Sequence, residues 1–577
     1  MEKKGRFFGV TFIIVVCFIG LIGRLFFVSV IAKDKIYDKA LAQIAREITI
    51  PAKRGDILDR NGSILASSTE SYRVDADLET FRKTLERKEK TANYYSDQIA
   101  EILDMDKDEV NLKLTKENNG VIIKRKISKD ASDKIYEFME KENVNFLIVG
   151  YDNIRHYPND NFLAHSLGSV NIDSEGVLGL ENYYDEELRG VDGVKITEID
   201  RLNRELPYKD ALKTDPVNGS DLVLTIDEKV QYLIENVAAE AMEKHEALGV
   251  TILVSNPNTG EILGLVNLPD FNPNNPGEGL TQDEYNKITR NRAVNDAYEP
   301  GSTFKIITIA TGLQNNTVNM ESEFYCEGYT LVDGIPIRCA LNKKHKHQFL
   351  SDVMVNSCNA SVVDIGLKIG KENLDEYIHK FNLGEKTGID LPGEASGILM
   401  NPDNMRNIDL ASISIGQSNT VTPVQILSAL NVIVNKGVYK SLHLGKEAVL
   451  KDSKGNIVTR KELYSKEEKE IIDKENAAKV LFMLNEAVSQ NELSGAYTED
   501  LEIFGKTGTA QKVDPETKAY SDTDFIASFI GGAPYSNPKY TVAVIVDTPI
   551  EFIYGNTVAA PIGKEILLEL DKMDIED

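Results

Sequence analysis

The stretch Glu299-Pro-Gly-Ser-Thr-Phe-Lys305, followed by the apolar run Ile306-Ile-Thr-Ile-Ala310, decides how this chain is read. Pro300 and Gly301 punctuate a helix start, so Ser302 is expected in the first turn, where unpaired N–H groups and the helix dipole favour a developing anion. Lys305 lies three residues on, so the two side chains share one helix face. A serine hydroxyl is a poor nucleophile until a base takes its proton, and a lysine can do so only when burial or a second cation lowers its pKa. Taken alone, Ser302 reads as an ordinary N-cap serine. Two further motifs reverse that reading.

Ser357-Cys-Asn359 lies 55 residues after Ser302, and Lys506-Thr-Gly-Thr509 starts 149 residues after Ser357. Ser357 and Asn359 are two apart and are expected to point the same way, the first to shuttle a proton to a leaving amine, the second to hold a substrate amide. Ile503-Phe-Gly-Lys-Thr-Gly-Thr509 reads as a strand edge with a glycine that lets a ligand approach the backbone closely. Lys506, Thr507, Gly508 and Thr509 are expected to bind a substrate carboxylate, and Lys506 to supply the second cation that Lys305 needs. The N–H groups of Ser302 and Thr509 are expected to form an oxyanion hole. Standing alone, the middle motif is a polar turn and Lys506 a solvated edge-strand lysine.

The texture around these motifs predicts an α+β fold. Leu222-Val-Leu-Thr-Ile226 reads as a strand, and Asp227 opens an amphipathic helix to about His245. Val250–Val254 and Glu261–Val266 read as a hairpin across an Asn-Pro-Asn-Thr-Gly turn. Phe525–Gly531 and Tyr540–Asp547 are two more strands, so one central antiparallel sheet, built from both ends of the domain, is flanked by helices. The stretch 79–145 is charged and reads as mostly helical.

A chain of 577 residues is too long for one core, and its net charge of −26 argues against a nucleic-acid partner. Lys3, Lys4 and Arg6 precede the apolar segment Phe7–Ile31, interrupted at Arg24. Its 25 residues are long enough to span a ~30 Å hydrocarbon core. Basic residues before the span predict a cytoplasmic N-terminus with the rest of the chain outside the cell membrane. The alternative, a cleaved signal peptide, lacks a small-residue cleavage site and has too long an apolar run. The expected divisions are a cytoplasmic tail at 1–6, a transmembrane signal anchor at 7–31, an elongated mixed α/β non-catalytic domain at 32–220, and a catalytic domain at 221–577.

With the three catalytic motifs in view, the chain resembles a class B penicillin-binding protein, a monofunctional D,D-transpeptidase of peptidoglycan synthesis. The resemblance extends to Arg54-Gly-Asp-Ile-Leu-Asp-Arg-Asn-Gly62, Arg155-His-Tyr-Pro-Asn159 and Gly179-Leu-Glu181 in the first domain, and to Asn291-Arg, Tyr298-Glu-Pro-Gly-Ser302 and Ser414-Ile-Gly-Gln417 in the second. One departure is Ser418, where the family usually carries glycine. The resemblance implies a non-catalytic pedestal of the dimerisation type before a transpeptidase domain. It also implies that Ser302 attacks the penultimate D-Ala carbonyl of a stem peptide ending in D-Ala-D-Ala, that β-lactams acylate the same serine, and that no cofactor serves the chemistry. It further implies a polytopic SEDS-type glycosyltransferase as membrane partner.

The cysteines raise a second question. Cys326, Cys339, His345 and His347 follow the pattern Cys-x12-Cys-x5-His-x-His, and soft thiolates with imidazoles suit structural tetrahedral zinc. Cys358 or a nearby carboxylate is a candidate fourth ligand, and His345 ranks above His347. An exported domain could equally oxidise Cys326 and Cys339 to a disulfide, or simply bury its thiols. Two rival functions are weighed for the whole chain. A membrane-bound β-lactamase or β-lactam sensor is disfavoured because no Glu-x-x-x-Asn motif lies between Asn359 and Lys506 and the first domain is large. A pure scaffold in a wall-synthesis complex is disfavoured by the intact set of reactive residues.

Overall fold

The computed structural model describes residues 2–31, 45–198, 204, 212–514 and 517–573. The parts of the first domain at 32–44, 199–203 and 205–211 lie outside the described residues, as do Met1 and the basic side chains of Lys3, Lys4 and Arg6. The chain forms two compact units. One comprises Met1–Lys53, Ser68–Ile154 and Gly190–Gly219; the other comprises Arg54–Ser67, Arg155–Arg189 and Ser220–Asp577.

The first unit begins with the helix Glu2–Phe26, which continues as a π-helical stretch to Ile31. Its segment Phe8–Val30, 23 residues long, is exposed and is the one helix among the described residues long and apolar enough to cross a membrane. Further on, four helices, Leu78–Lys88, Ala92–Leu103, Lys107–Leu114 and Lys129–Glu142, fulfil the helical reading of the charged stretch. Each starts at a side chain that caps it: Asp77, Thr91, Asp106 and Ser128 accept backbone N–H groups of the first turn. The structure adds a strand, Gly120–Ile127, that the charge pattern concealed; its Val-Ile-Ile run is β-branched and pairs antiparallel with Tyr72–Asp77. Phe81, Tyr95, Phe138 and Phe146 fill the core between them, the Phe81 and Phe146 rings 4.7 Å apart.

In the second unit, helix α1 (Glu228–Lys244) starts at Asp227, whose carboxylate accepts the N–H groups of Lys229 and Val230. Strands β1 (Gly249–Ser255) and β2 (Ile262–Leu268) form the expected hairpin. Helix α2 (Lys305–Gln314) and helix α3 (Pro423–Val434) follow, α3 buried along its whole length and started by a Thr422–Gln425 capping box with proline in its first turn. Strands β3 (Phe504–Val513), β4 (Tyr520–Ala533) and β5 (Tyr540–Asp547) precede helix α4 (Ala559–Lys572).

The five strands make one antiparallel sheet in the order β2-β1-β5-β4-β3. The middle strands are buried on both faces. Val250, Ile252 and Val254 of β1 and Val542, Val544 and Val546 of β5 join the core that includes α1 and α4. Leu253, Ala543 and Ile545 point the other way, into the core that holds α2 and α3. Each such Val, Leu or Ile side chain stabilises the fold by about 1.5–3 kcal/mol when fully buried. Strand β3 stands at the sheet edge, so one side of the Lys506–Thr509 segment has no strand partner among the described residues.

The three first-domain motifs meet in this unit as a buried ion triad. Glu181 is fully buried. Its Oε2 accepts from Arg54 Nε at 2.6 Å and its Oε1 from Arg155 Nε at 2.6 Å. Arg54 Nη1 also donates to Asp185 at 2.6 Å, and Arg155 Nη1 to the carbonyl of Gly55 at 2.8 Å. A buried carboxylate requires such partners, since desolvation of a lone charge costs several kcal/mol.

Candidate active site

Ser302 lies in a 3-10 turn, Gly301–Phe304, immediately before α2. The turn is anchored from two sides. Gly301, at φ 55°, donates its N–H to the carbonyl of Gly416 at 2.9 Å, and Thr303 Oγ1 donates to the carbonyl of Pro300 at 2.7 Å. Phe304 is fully buried beneath it.

Lys305, at the start of α2, is fully buried. Its Nζ donates to Asn359 Oδ1 at 2.6 Å, to the carbonyl of Ser357 at 2.7 Å and to Ser357 Oγ at 3.1 Å. Burial, and next the charge of Lys506, lower its pKa from 10.5 to about 7. The middle motif is built as a sharp corner between helices Leu350–Val355 and Asn359–Ile369. Ser357 adopts φ 51°, a left-handed conformation uncommon for serine, and its N–H reaches back to the carbonyl of Met354 at 3.1 Å. Asn359 is held at its other end, where Nδ2 donates to the carbonyl of Arg338 at 2.8 Å. That support is a main-chain group and has no signature in the sequence.

Lys506, on the edge strand β3, is 5% exposed, and burial brings its pKa down to about 8. The strand lies against the serine turn. A Cβ on Gly508 would stand 2.9 Å from the Pro300 carbonyl oxygen and 3.1 Å from Thr303 Cγ2, and one on Gly301 would stand 3.0 Å from the Thr509 carbonyl oxygen. Glycine at both positions permits this approach. Thr509 Oγ1 accepts the N–H of Gly555 at 3.0 Å, which ties the loop after β5 to the strand, a partner that the sequence reading missed. Ser302, Lys305, Ser357, Asn359, Lys506, Thr507, Gly508 and Thr509 thus come from three separate segments into one region. The site joins a lysine with a lowered pKa, a hydroxyl pair and a free strand edge, a combination suited to serine acyl transfer.

Directly behind Ser357 and Asn359, the ligand atoms of Cys326, Cys339, His345 and Cys358 all lie within 4.8 Å of one another. The sulfurs of Cys326 and Cys339 are 3.7 Å apart, and those of Cys339 and Cys358 are 3.8 Å apart. The Cys358 thiol is shifted down by its hydrogen bond with Cys339 and by Ser361. The buried Nδ1 of His345 has no hydrogen-bond partner among the described residues. His347 does not join this group, which corrects the expectation from sequence. It pairs with Tyr325 across a two-stranded ribbon, exposed, its ring 4.8 Å from the tyrosine ring. Lys346, at φ 60°, breaks the alternation between the two histidines and turns them to different sides.

Comparison with known proteins agrees with this geometry. Residues 250–568 match the family described as the penicillin binding protein transpeptidase domain, and residues 49–224 match the penicillin-binding protein dimerisation domain. The chain is 35% identical over 558 residues to stage V sporulation protein D of Bacillus subtilis, covering 96% of this chain and 83% of that protein. It is 27% identical to the peptidoglycan D,D-transpeptidase FtsI of Escherichia coli, covering 95% and 88% of the two chains. Among solved structures, a peptidoglycan synthetase from Bifidobacterium adolescentis superposes with a TM-score of 0.71 at 26% identity, covering 92% of this chain and 98% of that one. Penicillin binding protein 3 from Mycobacterium tuberculosis, complexed with ampicillin, shares the fold with a TM-score of 0.67 at 22% identity, covering 91% and 96%. The match of a transpeptidase domain over more than half of the chain, preceded by a dimerisation domain, means that the chain belongs to the class B penicillin-binding proteins.

Proposed function

We propose that the protein is a peptidoglycan D,D-transpeptidase that works through an acyl-enzyme on Ser302 and is acylated at the same atom by β-lactams. The observation that carries this reading is Lys305, a fully buried lysine with its pKa brought to about 7, held against Ser357 and Asn359 beside the serine turn. Neutral Lys305 takes the Ser302 hydroxyl proton as Oγ attacks the carbonyl carbon of the penultimate D-Ala. The N–H groups of Ser302 and Thr509 hold the oxyanion. Ser357 relays the proton to the leaving nitrogen, so terminal D-Ala departs as a neutral amine and the acyl-enzyme remains. The amine of a neighbouring stem peptide then attacks the ester, and Oγ takes back a proton. Lys506, Thr507 and Thr509 hold the substrate carboxylate along the free edge of β3, and Asn359 holds its amide. In a β-lactam the cleaved amide is part of the ring, so no leaving group departs and the ester persists.

The test is labelling with a fluorescent penicillin. Wild-type protein labels stoichiometrically and Ser302→Ala does not; labelling of Ser302→Ala would overturn the assignment. Rapid turnover of penicillin would instead favour a β-lactamase.

The cysteine cluster fits a structural zinc ion. Two thiolates at about 2.3 Å from zinc lie about 3.8 Å apart along a tetrahedral edge, and both sulfur pairs match that spacing. The unpartnered His345 nitrogen supplies a fourth donor. A disulfide between Cys326 and Cys339 would leave Cys358 and His345 without a role. Cys326, Cys339, His345 and Cys358 would hold the ion, which supplies rigidity beneath the middle motif and takes no part in the proton transfers.

The apolar helix supports a single-pass anchor with the N-terminus in the cytoplasm and the catalytic unit outside the membrane, its orientation set by the basic residues that precede it. The dimerisation-type domain supports a scaffolding role toward a SEDS-type glycosyltransferase. Deletion of the gene should then be more severe than a Ser302→Ala allele.

A further inference from the structure

Glu299 stands three residues before Ser302, on the segment that presents it. Its Oε1 accepts the N–H of Ser418 at 2.9 Å and the hydroxyl of Tyr520 at 3.0 Å, and its Oε2 lies 3.2 Å from the same hydroxyl. These groups come from three segments: the approach to the serine turn, the loop after helix Asn407–Ser414, and the first residue of β4. Tyr520 pairs with Val513, the last residue of β3, so it closes the far end of the β3–β4 hairpin. That hairpin carries Lys506, Thr507 and Thr509 on its other strand.

Three details argue that the contact is built. Ser418, where resembling enzymes usually carry glycine, adopts φ 68° and in this left-handed conformation donates to Glu299. A serine persists there only when its surroundings hold it. The same loop is pinned to the serine turn a second time, by the Gly301 N–H to Gly416 carbonyl bond of 2.9 Å. The phenol of Tyr520 is pushed up to about 12 by the partial burial of the side chain and by the Glu299 carboxylate, so it remains a donor at every physiological pH.

We propose that Glu299 is a positioning residue: by holding Ser418 and Tyr520 it latches the turn end of the β3–β4 hairpin to the segment carrying Ser302, and so fixes the edge of β3 at the spacing that acylation requires. The proposal rests on Ser302 being the nucleophile. Glu299 touches no reacting atom; it sets the distance between the serine turn and the strand edge that clamps the substrate, and a small error in that distance slows the chemical step more than the binding step.

Rapid-mixing acylation of the full-length protein by a fluorescent penicillin separates the non-covalent dissociation constant from the first-order acylation constant. Tyr520→Phe keeps the ring and removes the hydroxyl. It is expected to lower the acylation constant about tenfold, the effect of one hydrogen bond to a charged acceptor, with the dissociation constant and melting temperature little changed. Glu299→Gln keeps an acceptor oxygen and should retain more of the rate than Glu299→Ala. Adding Tyr520→Phe to Glu299→Ala should cost nothing further, since both act through one contact. An unchanged acylation constant in Tyr520→Phe, a change confined to the dissociation constant, or losses that multiply in the double variant would each overturn the latch. Tyr520 is exposed, so its variant tests the proposal even if Glu299→Ala fails to fold. Failure of the Ser302 assignment would show separately, as labelling of Ser302→Ala.

Discussion

The Nζ of Lys305 donates a 2.6 Å hydrogen bond to Oδ1 of Asn359. This bond joins the first motif to the second and leaves the lysine buried, with Lys506 as a nearby like charge.

The first prediction concerns pH. The Lys305 pKa is lowered to about 7, so below that pH the amine is protonated and cannot take the Ser302 proton. The acylation constant should fall about tenfold per pH unit below 7, and decline again above about 8, where Lys506 loses the charge that clamps the substrate carboxylate. The same shift acts on stability. Between about 7 and the usual lysine value of 10.5, the unfolded chain holds a proton that the folded chain lacks, so stability rises with pH across that window. Lys305→Met should abolish labelling and reduce that slope of the melting temperature, leaving the part that Lys506, lowered to about 8, contributes above that pH. An acylation rate that is flat from about pH 5 to about pH 9 would exclude Lys305 as the base.

Elemental analysis of protein purified without chelator should find one zinc per chain. Cys339→Ser, at the centre of both sulfur contacts, should lose the metal, whereas His347→Ala should keep it. Removal of zinc by a strong chelator should lower the melting temperature, and denatured, chelated protein should titrate four free thiols. Two free thiols would indicate a disulfide instead.

Gly416 permits the closest approach to the serine turn. At φ 84°, a Cβ added there would lie 2.0 Å from the carbonyl oxygen of Gly301. Gly416→Ala should destabilise the protein by more than about 3 kcal/mol, through overlap and left-handed strain together. Denaturant melting measures the loss, and penicillin labelling should disappear with it. A folded Gly416→Ala protein with normal labelling would show that the contact is not required.

Glu181 sits fully buried between Arg54 and Arg155. Glu181→Gln removes the charge that Arg54 and Arg155 share, leaving Asp185 as the carboxylate beside Arg54, and should cost about 3–5 kcal/mol of stability. The folded fraction should still be labelled by penicillin at the wild-type rate, because the triad contributes no group to the serine site. Chemical denaturation and labelling kinetics on the same sample separate the two effects.

Much of this was legible in the chain. The α1 start at Asp227, the β1–β2 hairpin and the sheet assembled from both ends of the domain follow from capping residues and apolar alternation, which act over a few residues. The reactive residues were legible because the chemistry demands particular side chains at fixed local spacing. The strand Gly120–Ile127 was hidden by its charged neighbours, and only pairing with Tyr72–Asp77 stabilises it as a strand.

The sequence by itself determined the order of the motifs, the local elements that carry them, the apolar N-terminal helix and the cysteine-histidine pattern. Tertiary structure alone decided which partners those residues meet. It placed Cys358 beside Cys339 and turned His347 away, because the left-handed backbone at Lys346 breaks the alternation of the strand. It drew Arg54, Arg155 and Glu181 into one buried triad, and it set Tyr520 on Glu299. The physical reason is range. Caps and periodicities are settled by neighbours in the chain, whereas these contacts join residues far apart in sequence and exist only once the sheet and its helices have closed around them.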